Sequence, residues 1–560
     1  FFSMAPFSGI WRELKLRLPL YADDWKQGFH PKVLASAIFM YFTSVAPAIT
    51  FAATLDHDTQ GHVGAVEVLL SSAICGCIFS IFGGQPLVIV GVTGPVTIFT
   101  VKVWALSQMF GVDFLQWYCW IGLWAALMHI LLAILNACDL VTLVTRFSCE
   151  VFGSLIAVIY IWDAIRHLVG MFPHHEQLTP FHTASSSAAA LLSVILAVGT
   201  LWLSTLLSGA TSWHVFFKTI RTTIADYGVA ASIVIFTLVQ FFPLWDEYKV
   251  DRLQVPQTFE PTLNGRSWLV PFWKCPVVHI FTATIPAFVL TVLFYFDHNV
   301  SSLLSQKPDF KLKKPSAYNL DFFWIGIMIA VTAVLGIPPT NGLIPQAPLH
   351  VRSLATITHK PGGGEEYDNV VEQRMSNLGQ SVLMGLTLIP PVLRLLGVVP
   401  IGVLCGLFLF MGIASFHGNQ LFARFTLFFT DPKLRTEAVS DDYIDIPFKE
   451  IAKFTLIQLF FLAVIFVVTK TPAALSFPVG IVLLVPVRRY LLPKFFAAGH
   501  LQLLDGTGEP TTAPDAVDAP QTAPQAQKLT PGGDEEMNEV KVEATTAESQ
   551  SSPQAAQDDA

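Results

Sequence analysis

Two apolar stretches in this sequence are interrupted by glycine and proline in the same way, and they carry its first candidate chemistry. One reads Val88-Ile89-Val90-Gly91-Val92-Thr93-Gly94-Pro95-Val96, and the other reads Val334-Leu335-Gly336-Ile337-Pro338-Pro339-Thr340-Asn341-Gly342 and continues to Gln346. In hydrocarbon, a broken helix leaves N–H and C=O groups unpaired, which is tolerated only where protein or a water-filled cavity receives them. Matched breaks in two halves of one chain are typical of transporters whose half-helices hold a substrate near the membrane midplane.

Helix N-termini at these breaks would present free N–H donors and the positive ends of two helix dipoles to a ligand. Pro95 and Pro345 fit the first turn of a helix, where a missing N–H costs little. The pattern therefore favours an oxyanion or a neutral polyhydroxyl acid as cargo. The predicted substrate-binding residues are Thr93, Gly94, Pro95, Val96, Leu343, Ile344, Pro345 and Gln346. The alternative interpretation is a packing kink that binds no ligand.

Asp297 is the ionisable residue that the sequence singles out. It follows the apolar run Val277–Phe296 and precedes the run Val300–Leu304. A carboxyl group within a membrane segment is a functional hypothesis by default. We expect Asp297 to bind the substrate and to take up and release a proton as the site changes sides. The alternative is that it lies at the membrane interface beside His298 and caps a helix end.

Other polar groups carry weaker hypotheses. Those in apolar segments are expected at helix interfaces or as snorkelling side chains: Glu67, Lys102, Glu150, Asp163, Arg166 and Gln380. The run His174-His175-Glu176 with His182 looks like a metal site, but we interpret it as a solvated loop. The seven cysteines show no paired loop framework and are interpreted as buried thiols. No metal, cofactor, nucleic-acid or enzymatic site is predicted, because nucleotide-binding and hydrolase motifs are missing from the sequence.

The composition places these residues in a membrane protein. The chain is 53% hydrophobic and only 13% charged, whereas a soluble domain carries about 25% charged residues. Its 45 phenylalanines and 13 tryptophans would leave large apolar patches on a water-soluble protein. The lipid bilayer is therefore an expected partner.

Apolar segments of spanning length predict an all-α polytopic protein with about fourteen transmembrane segments. The predicted spans are 32–53, 64–83, 86–107, 114–136, 144–171, 184–207, 222–243, 275–304, 320–336, 339–355, 375–396, 398–416, 448–469 and 471–492. Two sets of seven form an inverted repeat, because an odd number per half turns the second half upside down. The predicted organisation is a lead-in at 1–30, a first repeat at 31–243, a loop at 244–274, a second repeat at 275–495 and a disordered acidic tail at 496–560.

Loop charges predict the orientation of the chain. Lysines and arginines precede the first predicted span and follow the last, at Arg488, Arg489 and Lys494, whereas the loops 55–63 and 171–183 carry none. By the positive-inside rule, both termini are expected in the cytoplasm and the loop 244–274 on the outer side.

Motifs in both halves resemble the membrane domain of the bicarbonate transporter and anion exchanger family over about residues 25–505. They include Pro31-Lys32-Val33-Leu34-Ala35, Ser44-Val45-Ala46-Pro47-Ala48-Ile49-Thr50-Phe51, Gly83-Gly84-Gln85-Pro86-Leu87, Gly336-Ile337-Pro338, Thr471-Pro472-Ala473 and Val485-Pro486-Val487-Arg488-Arg489-Tyr490-Leu491-Leu492-Pro493. The resemblance implies a core domain and a gate domain that move against each other, two half-helices meeting at the midplane, and a homodimer built through the gates. It also implies an acidic residue at Asp297 and adds Tyr41 to the substrate-binding residues.

The sequence departs from the red-cell-type exchangers in ways that resemble the borate exporter branch of fungi and plants. Gln346 stands where the exchanger pattern has an arginine, and about thirty residues precede the first span where those exchangers carry a large folded domain. Boric acid offers hydroxyls that donate and accept, so backbone N–H groups, the Thr93 hydroxyl and the Gln346 amide can bind it without a net cation. An anion that is charged in every state would favour arginine.

Three functions follow as expectations. The first is plasma-membrane export of borate or boric acid, facilitated or coupled to protons. The second is bicarbonate or chloride exchange on the same fold. The third is a membrane scaffold that anchors cytoskeletal partners.

Overall fold

Helices make up nearly all of the regular structure in the computed structural model, which describes residues 5–143, 145–172, 180–242, 250–252, 258–359, 365–416, 419–435, 446–471 and 476–505. The helices are α1 (Ser8–Arg17), α2 (Tyr21–Lys26), α3 (Pro31–Asp58), α4 (Ala65–Phe82), α5 (Gly94–Phe110), α6 (Phe114–Ile134), α7 (Arg146–Gly170), α8 (Pro180–Ser208), α9 (Lys218–Val239), α10 (Val277–Thr282), α11 (Thr284–Ser305), α12 (Tyr318–Leu335), α13 (Gln346–Leu354), α14 (Met375–Thr387), α15 (Pro390–Leu396), α16 (Ile401–Ala414), α17 (Gln420–Thr426), α18 (Phe448–Thr469), α19 (Phe477–Pro486) and α20 (Ala498–Asp505). The strands are β1 (Val90–Gly91), β2 (Asn341–Gly342), β3 (Ala355–His359) and β4 (Glu365–Val370).

Within the described ranges, nine helices are long and apolar enough to cross a membrane. They correspond to nine of the fourteen predicted spans. The shorter apolar helix α16 lies within a tenth predicted span, 398–416. Large apolar side chains remain exposed on them, for example Phe460 at 62% and Trp202 at 61%. Such surfaces suit contact with lipid, where apolar side chains meet no water.

The remaining predicted spans differ from the structure because glycine and proline break them. The segment predicted as 86–107 becomes helical only at Gly94, and the segment predicted as 339–355 only at Gln346. The predicted span 375–396 is divided into α14 and α15 at the Pro390-Pro391 pair. Part of 471–492 lies outside the described residues, and α19 covers Phe477–Pro486.

The most extensive contacts between helices form two groups. In one group α6 packs against α11 and α12, and α14 packs against α3 and α4. In the other, α16 packs against α7 and α8, and α18 packs against α7. A β-hairpin of β3 and β4 and the short helix α17 have no counterpart in the sequence-based prediction.

The strands β1 and β2 pair antiparallel and bring the two interrupted stretches together. Val90 lies opposite Gly342 and Gly91 opposite Asn341. The Leu343 N–H extends the ladder by donating to the Ile89 carbonyl at 2.8 Å. Pairing satisfies backbone groups that helix breaks would leave open in a membrane interior.

Candidate substrate site

A small cavity lies where β1 and β2 end and the helices α5 and α13 begin. Twelve residues line it: Phe51, Thr93, Gly94, Pro95, Ile156, Ile159, Tyr160, Asp297, Gly342, Leu343, Ile344 and Pro345. Its volume, measured as the space open to the centre of a water molecule, is about 20 Å³. One water needs roughly 10–15 Å³ on this measure, so the cavity in this structure has room for one or two water molecules.

The first side of the cavity is the N-terminus of α5, which is built by local sequence. Thr93 is the N-cap in extended conformation, and its hydroxyl accepts a long 3.4 Å hydrogen bond from the Val96 N–H. Pro95 lies in the first turn, as predicted from the sequence. Gly94 packs closely against Phe51, since a Cβ at this position would lie 3.3 Å from the Phe51 ring. Pro95 has no N–H and the Val96 N–H is capped by Thr93, so among the first three residues of α5 Gly94 keeps an N–H without an intrahelical acceptor beside the cavity.

The second side is the segment Leu343–Pro345, which leads into α13. The regular helix begins at Gln346, but Pro345 already has helical dihedral angles and the Ala347 N–H donates to the Leu343 carbonyl at 2.9 Å, so Pro345 lies in the first turn. Asn341 fixes the preceding strand against α11, because its Oδ1 accepts from the Gly342 N–H at 2.9 Å and its Nδ2 donates to the Phe294 carbonyl at 3.3 Å. The N-termini of α5 and α13 thus meet at one place, and their dipoles favour negative charge there.

Asp297 lies inside α11 and faces this cavity, so it is not a cap at a helix end. It is only 1% exposed, and neither carboxylate oxygen meets a hydrogen-bond donor in the part of the chain that the structure describes. The Asn341 amide lies close to this carboxyl, and its Nδ2 donates to the Phe294 carbonyl at 3.3 Å. A buried carboxyl without a protein partner is costly, and a ligand or a proton in the cavity would relieve that cost.

The other predicted site residues lie beside the cavity and not on its wall. Gln346 is fully buried, and its Nε2 donates to the Thr43 carbonyl at 3.1 Å. Tyr41 is half-buried and shares a 2.8 Å hydrogen bond with Thr387, which directs its hydroxyl toward α14. Val96 is buried in α5.

Sequence reasoning missed the wall that α3 and α7 supply. Phe51, Ile156, Ile159 and Tyr160 close the cavity, and Tyr160 lies next to the Gln346 side chain. These residues carry no local signal, because distant packing brings them to the cavity. Tyr160 adds a hydroxyl to this wall, and Asp297 is the only acidic residue among those that line the cavity.

Three acidic groups that the sequence assigned to helix interfaces are paired away from the cavity. Glu67 accepts from the Gly64 and Thr262 N–H groups at 3.0 and 2.8 Å. Glu150 accepts from Arg424 at 2.5 Å. Asp163 pairs with Lys470 at 3.5 Å, not with Arg166.

Two further predictions from the sequence can be compared with the structure. The seven cysteines are free thiols, five of them buried, with Cys77 and Cys149 partly exposed. His174, His175 and Glu176 lie outside the described residues, as does the tail from residue 506 onward.

Comparison with known proteins decides the family. The model of the HCO3⁻ transporter integral membrane domain matches residues 5–189 and 178–509. The chain belongs to this family.

The relatives of this chain include proteins named as boron transporters and a protein named as an anion transporter. The chain is 35% identical to "Boron transporter 1" of Saccharomyces cerevisiae over 502 residues, covering 89% of this chain and 85% of that protein. It is 34% identical to "Probable boron transporter 3" of Arabidopsis thaliana, covering 90% and 81%. It is 33% identical to human "Band 3 anion transport protein", covering 89% of this chain but 56% of that protein.

Among solved structures, that of SLC26A9 is similar in fold. The TM-score is 0.50 at 14% identity, with 85% of this chain and 70% of that chain covered. The likeness concerns the mainly helical membrane transporter fold alone.

Proposed function

We propose that this protein exports borate or boric acid across the plasma membrane. The observation that carries the proposal is the pairing of two helix N-termini with one unpartnered carboxyl, Asp297, in a cavity whose lining contains no lysine or arginine. The similarity to proteins named boron transporters supports it.

The charge of the site favours a neutral polyhydroxyl acid. Each helix N-terminus carries roughly +0.5 elementary charge, so two of them offset one carboxylate. A near-neutral site does not attract a permanent anion strongly. Boric acid can donate hydroxyl protons to Asp297 and accept from the N–H groups at Gly94 and Ile344, while Thr93 and Tyr160 supply hydroxyls on opposite sides.

Protonation of Asp297 would change this balance. With a neutral carboxyl, the two helix ends leave a net positive site that suits borate or another anion. Uptake and release of a proton at Asp297 would therefore couple proton movement to cargo binding. The same reasoning supports the second candidate, bicarbonate or chloride exchange, which the similarity to Band 3 favours.

Alternating access is proposed on the basis of the two helix groups. The cavity is lined by α5, α11 and the α13 entry from one group and by α7 from the other. Movement of one group against the other would expose the cavity to either side. We also propose the fourteen-span inverted repeat, because α5 is the third of seven helices after the lead-in and α13 the third of seven segments after residue 275. A homodimer built through the gate helices and cytoplasmic termini belong to the same proposal.

A borate-tolerance assay tests the function in cells. Yeast that lack their own borate efflux would express the wild type or Asp297→Asn at matched surface levels. The proposal expects growth in borate only with the wild type, together with lower cellular boron. Equal growth and equal boron content with both proteins would contradict it.

A further inference from the structure

The stretch that leads to β1 and the N-terminus of α5 is held mainly by hydrogen bonds from side chains and not by regular secondary structure. This stretch, residues 83–89, is called here the entry stretch, because it connects the end of α4 to β1. Its carbonyl groups at positions 83, 86, 87, 88 and 89 each accept a hydrogen bond from a residue between 343 and 377. An extended segment inside a membrane domain needs such partners, since no water is present to supply them.

His350 holds the middle of the entry stretch. Its Nδ1 lies 2.7 Å from the Leu87 carbonyl, and its Nε2 lies 2.6 Å from the Ser376 hydroxyl. The carbonyl can only accept, so Nδ1 carries the proton and Nε2 accepts from Ser376. Gln373 in turn donates to the Ser376 oxygen at 2.5 Å. The imidazole orientation is therefore determined by a chain of three directed hydrogen bonds.

Asn377 hydrogen-bonds to the carbonyl groups on either side of Leu87. Its single amide nitrogen donates to the Pro86 carbonyl at 3.1 Å and to the Val88 carbonyl at 2.9 Å. The residue is fully buried on α14. Two further groups hold the start of the stretch: Asp321 accepts from the Gly84 and Gln85 N–H groups, and Arg374 donates to the Gly83 carbonyl at 2.7 Å.

His350 also connects the two halves of the site. His350 lies on α13, four residues after Gln346. Through this residue, α13, whose entry lines one side of the cavity, is hydrogen-bonded to the entry stretch, which leads to the α5 side. Together with the β1–β2 pairing, this contact fixes how far Thr93 can move relative to Leu343 and Asp297. Neither His350 nor Asn377 lines the cavity.

We propose that His350 and Asn377 are positioning residues of the substrate site, which set the register of residues 86–88 and through it the place of the α5 N-terminus opposite Asp297. This inference rests on the proposed function only for the identity of the cargo. If the register loosens, the binding-competent arrangement becomes a fraction of the population, and the apparent affinity falls by that fraction.

The test uses the full chain reconstituted in liposomes, with uptake of isotopically labelled boric acid and of labelled bicarbonate measured over a range of concentrations. His350→Leu removes the donor to Leu87, and His350→Gln keeps one. The matched control is His129→Leu, since His129 is equally buried but its Nδ1 bonds only to the Ala125 carbonyl of its own helix. The KM of the transported cargo should rise roughly three- to tenfold in His350→Leu, the effect of losing one hydrogen bond. The KM should recover in His350→Gln and stay at the wild-type value in His129→Leu, with kcat changed less than KM in all three.

Asn377→Ala provides a second arm that does not depend on the folding of His350→Leu. Its control on the same helix is Ser381→Ala, since the Ser381 hydroxyl donates to the backbone carbonyl of Asn377 at 2.8 Å and not to the entry stretch. A Thr93→Val background adds a coupling test: residues that act through the α5 N-terminus should show a smaller KM effect there than in the wild type.

Equal KM values for the variants and their controls, or full additivity with Thr93→Val, would overturn the inference. If the wild type transports bicarbonate and not boric acid, the proposed function fails, but the bicarbonate KM values still decide the positioning role.

Discussion

Replacing Asp297 by asparagine should separate transport from stability. The substitution keeps the shape of the side chain and removes its charge and its capacity to exchange a proton. Because neither carboxylate oxygen has a partner among the described residues, the variant loses no hydrogen bond to the protein. Its free energy of unfolding should therefore stay the same or rise, since a buried amide costs less to desolvate than a carboxylate.

Transport should respond in the opposite direction. A hydrogen bond between a cargo hydroxyl and a charged group contributes about 1.5–3 kcal/mol. At roughly 1.4 kcal/mol per factor of ten, kcat/KM for boric acid should fall about 10- to 150-fold. Flux should also lose its response to an imposed pH gradient, because the variant cannot carry the proton.

Asp321→Asn is the matched control for this prediction. Asp321 is also a fully buried aspartate, but its carboxylate accepts from the Gly84 and Gln85 N–H groups. Its replacement should lower the free energy of unfolding by about 1.5–3 kcal/mol. Thermal unfolding in detergent and flux in liposomes, measured on both variants, give the comparison. The reasoning is refuted if Asp297→Asn transports with the wild-type rate and pH response, or if it unfolds as easily as Asp321→Asn.

Three further predictions follow from the same geometry. Gln346→Arg places a permanent cation beside two positive helix ends, so borate flux should be lost and bicarbonate exchange gained; unchanged selectivity in a correctly inserted variant would contradict this. Gly342→Ala should destabilise the folded protein by about 1–3 kcal/mol and abolish transport, because the added Cβ would lie 2.9 Å from the Cβ of Ser301. Gly153→Ala is the control: the space around Gly153 is open, so thermal unfolding should show a neutral or stabilising effect. Burial raises the pKa of Glu13 from 4.5 to about 7, so the stability it contributes is fully present below about pH 4.5 and is lost as pH rises through 7. The unfolding temperature should therefore fall between about pH 4.5 and 7, and Glu13→Gln should flatten that decline.

The sequence was sufficient to predict most of the long helices and the meeting of the two half-sites. The long spans carry apolar windows of spanning length, a signal that depends on composition alone. The half-sites carry a local signal too, because Thr93 with Gly94 and Pro95 specifies an N-cap and a first turn. Nine apolar helices confirm the first part, and the pairing of β1 with β2 shows that the two interrupted stretches lie next to each other.

The details that could not be predicted depend on contacts between distant residues. The entry stretch reads as apolar sequence and was assigned to a span beginning at residue 86, yet side chains between 321 and 377 hold it extended. Tyr160 lies in an ordinary apolar run of α7, so only packing shows that it lines the cavity. The direction of Tyr41 toward Thr387 likewise depends on the partner that tertiary structure supplies.

Parallel flux of borate and bicarbonate through the purified wild-type protein in liposomes tests the central claim most directly. Both cargoes would be measured in the same preparation, with and without a pH gradient, against liposomes that carry Asp297→Asn. The site described here predicts saturable borate flux that depends on Asp297 and exceeds bicarbonate flux. Ready bicarbonate flux with no borate flux would contradict the account and assign the cavity to anion exchange.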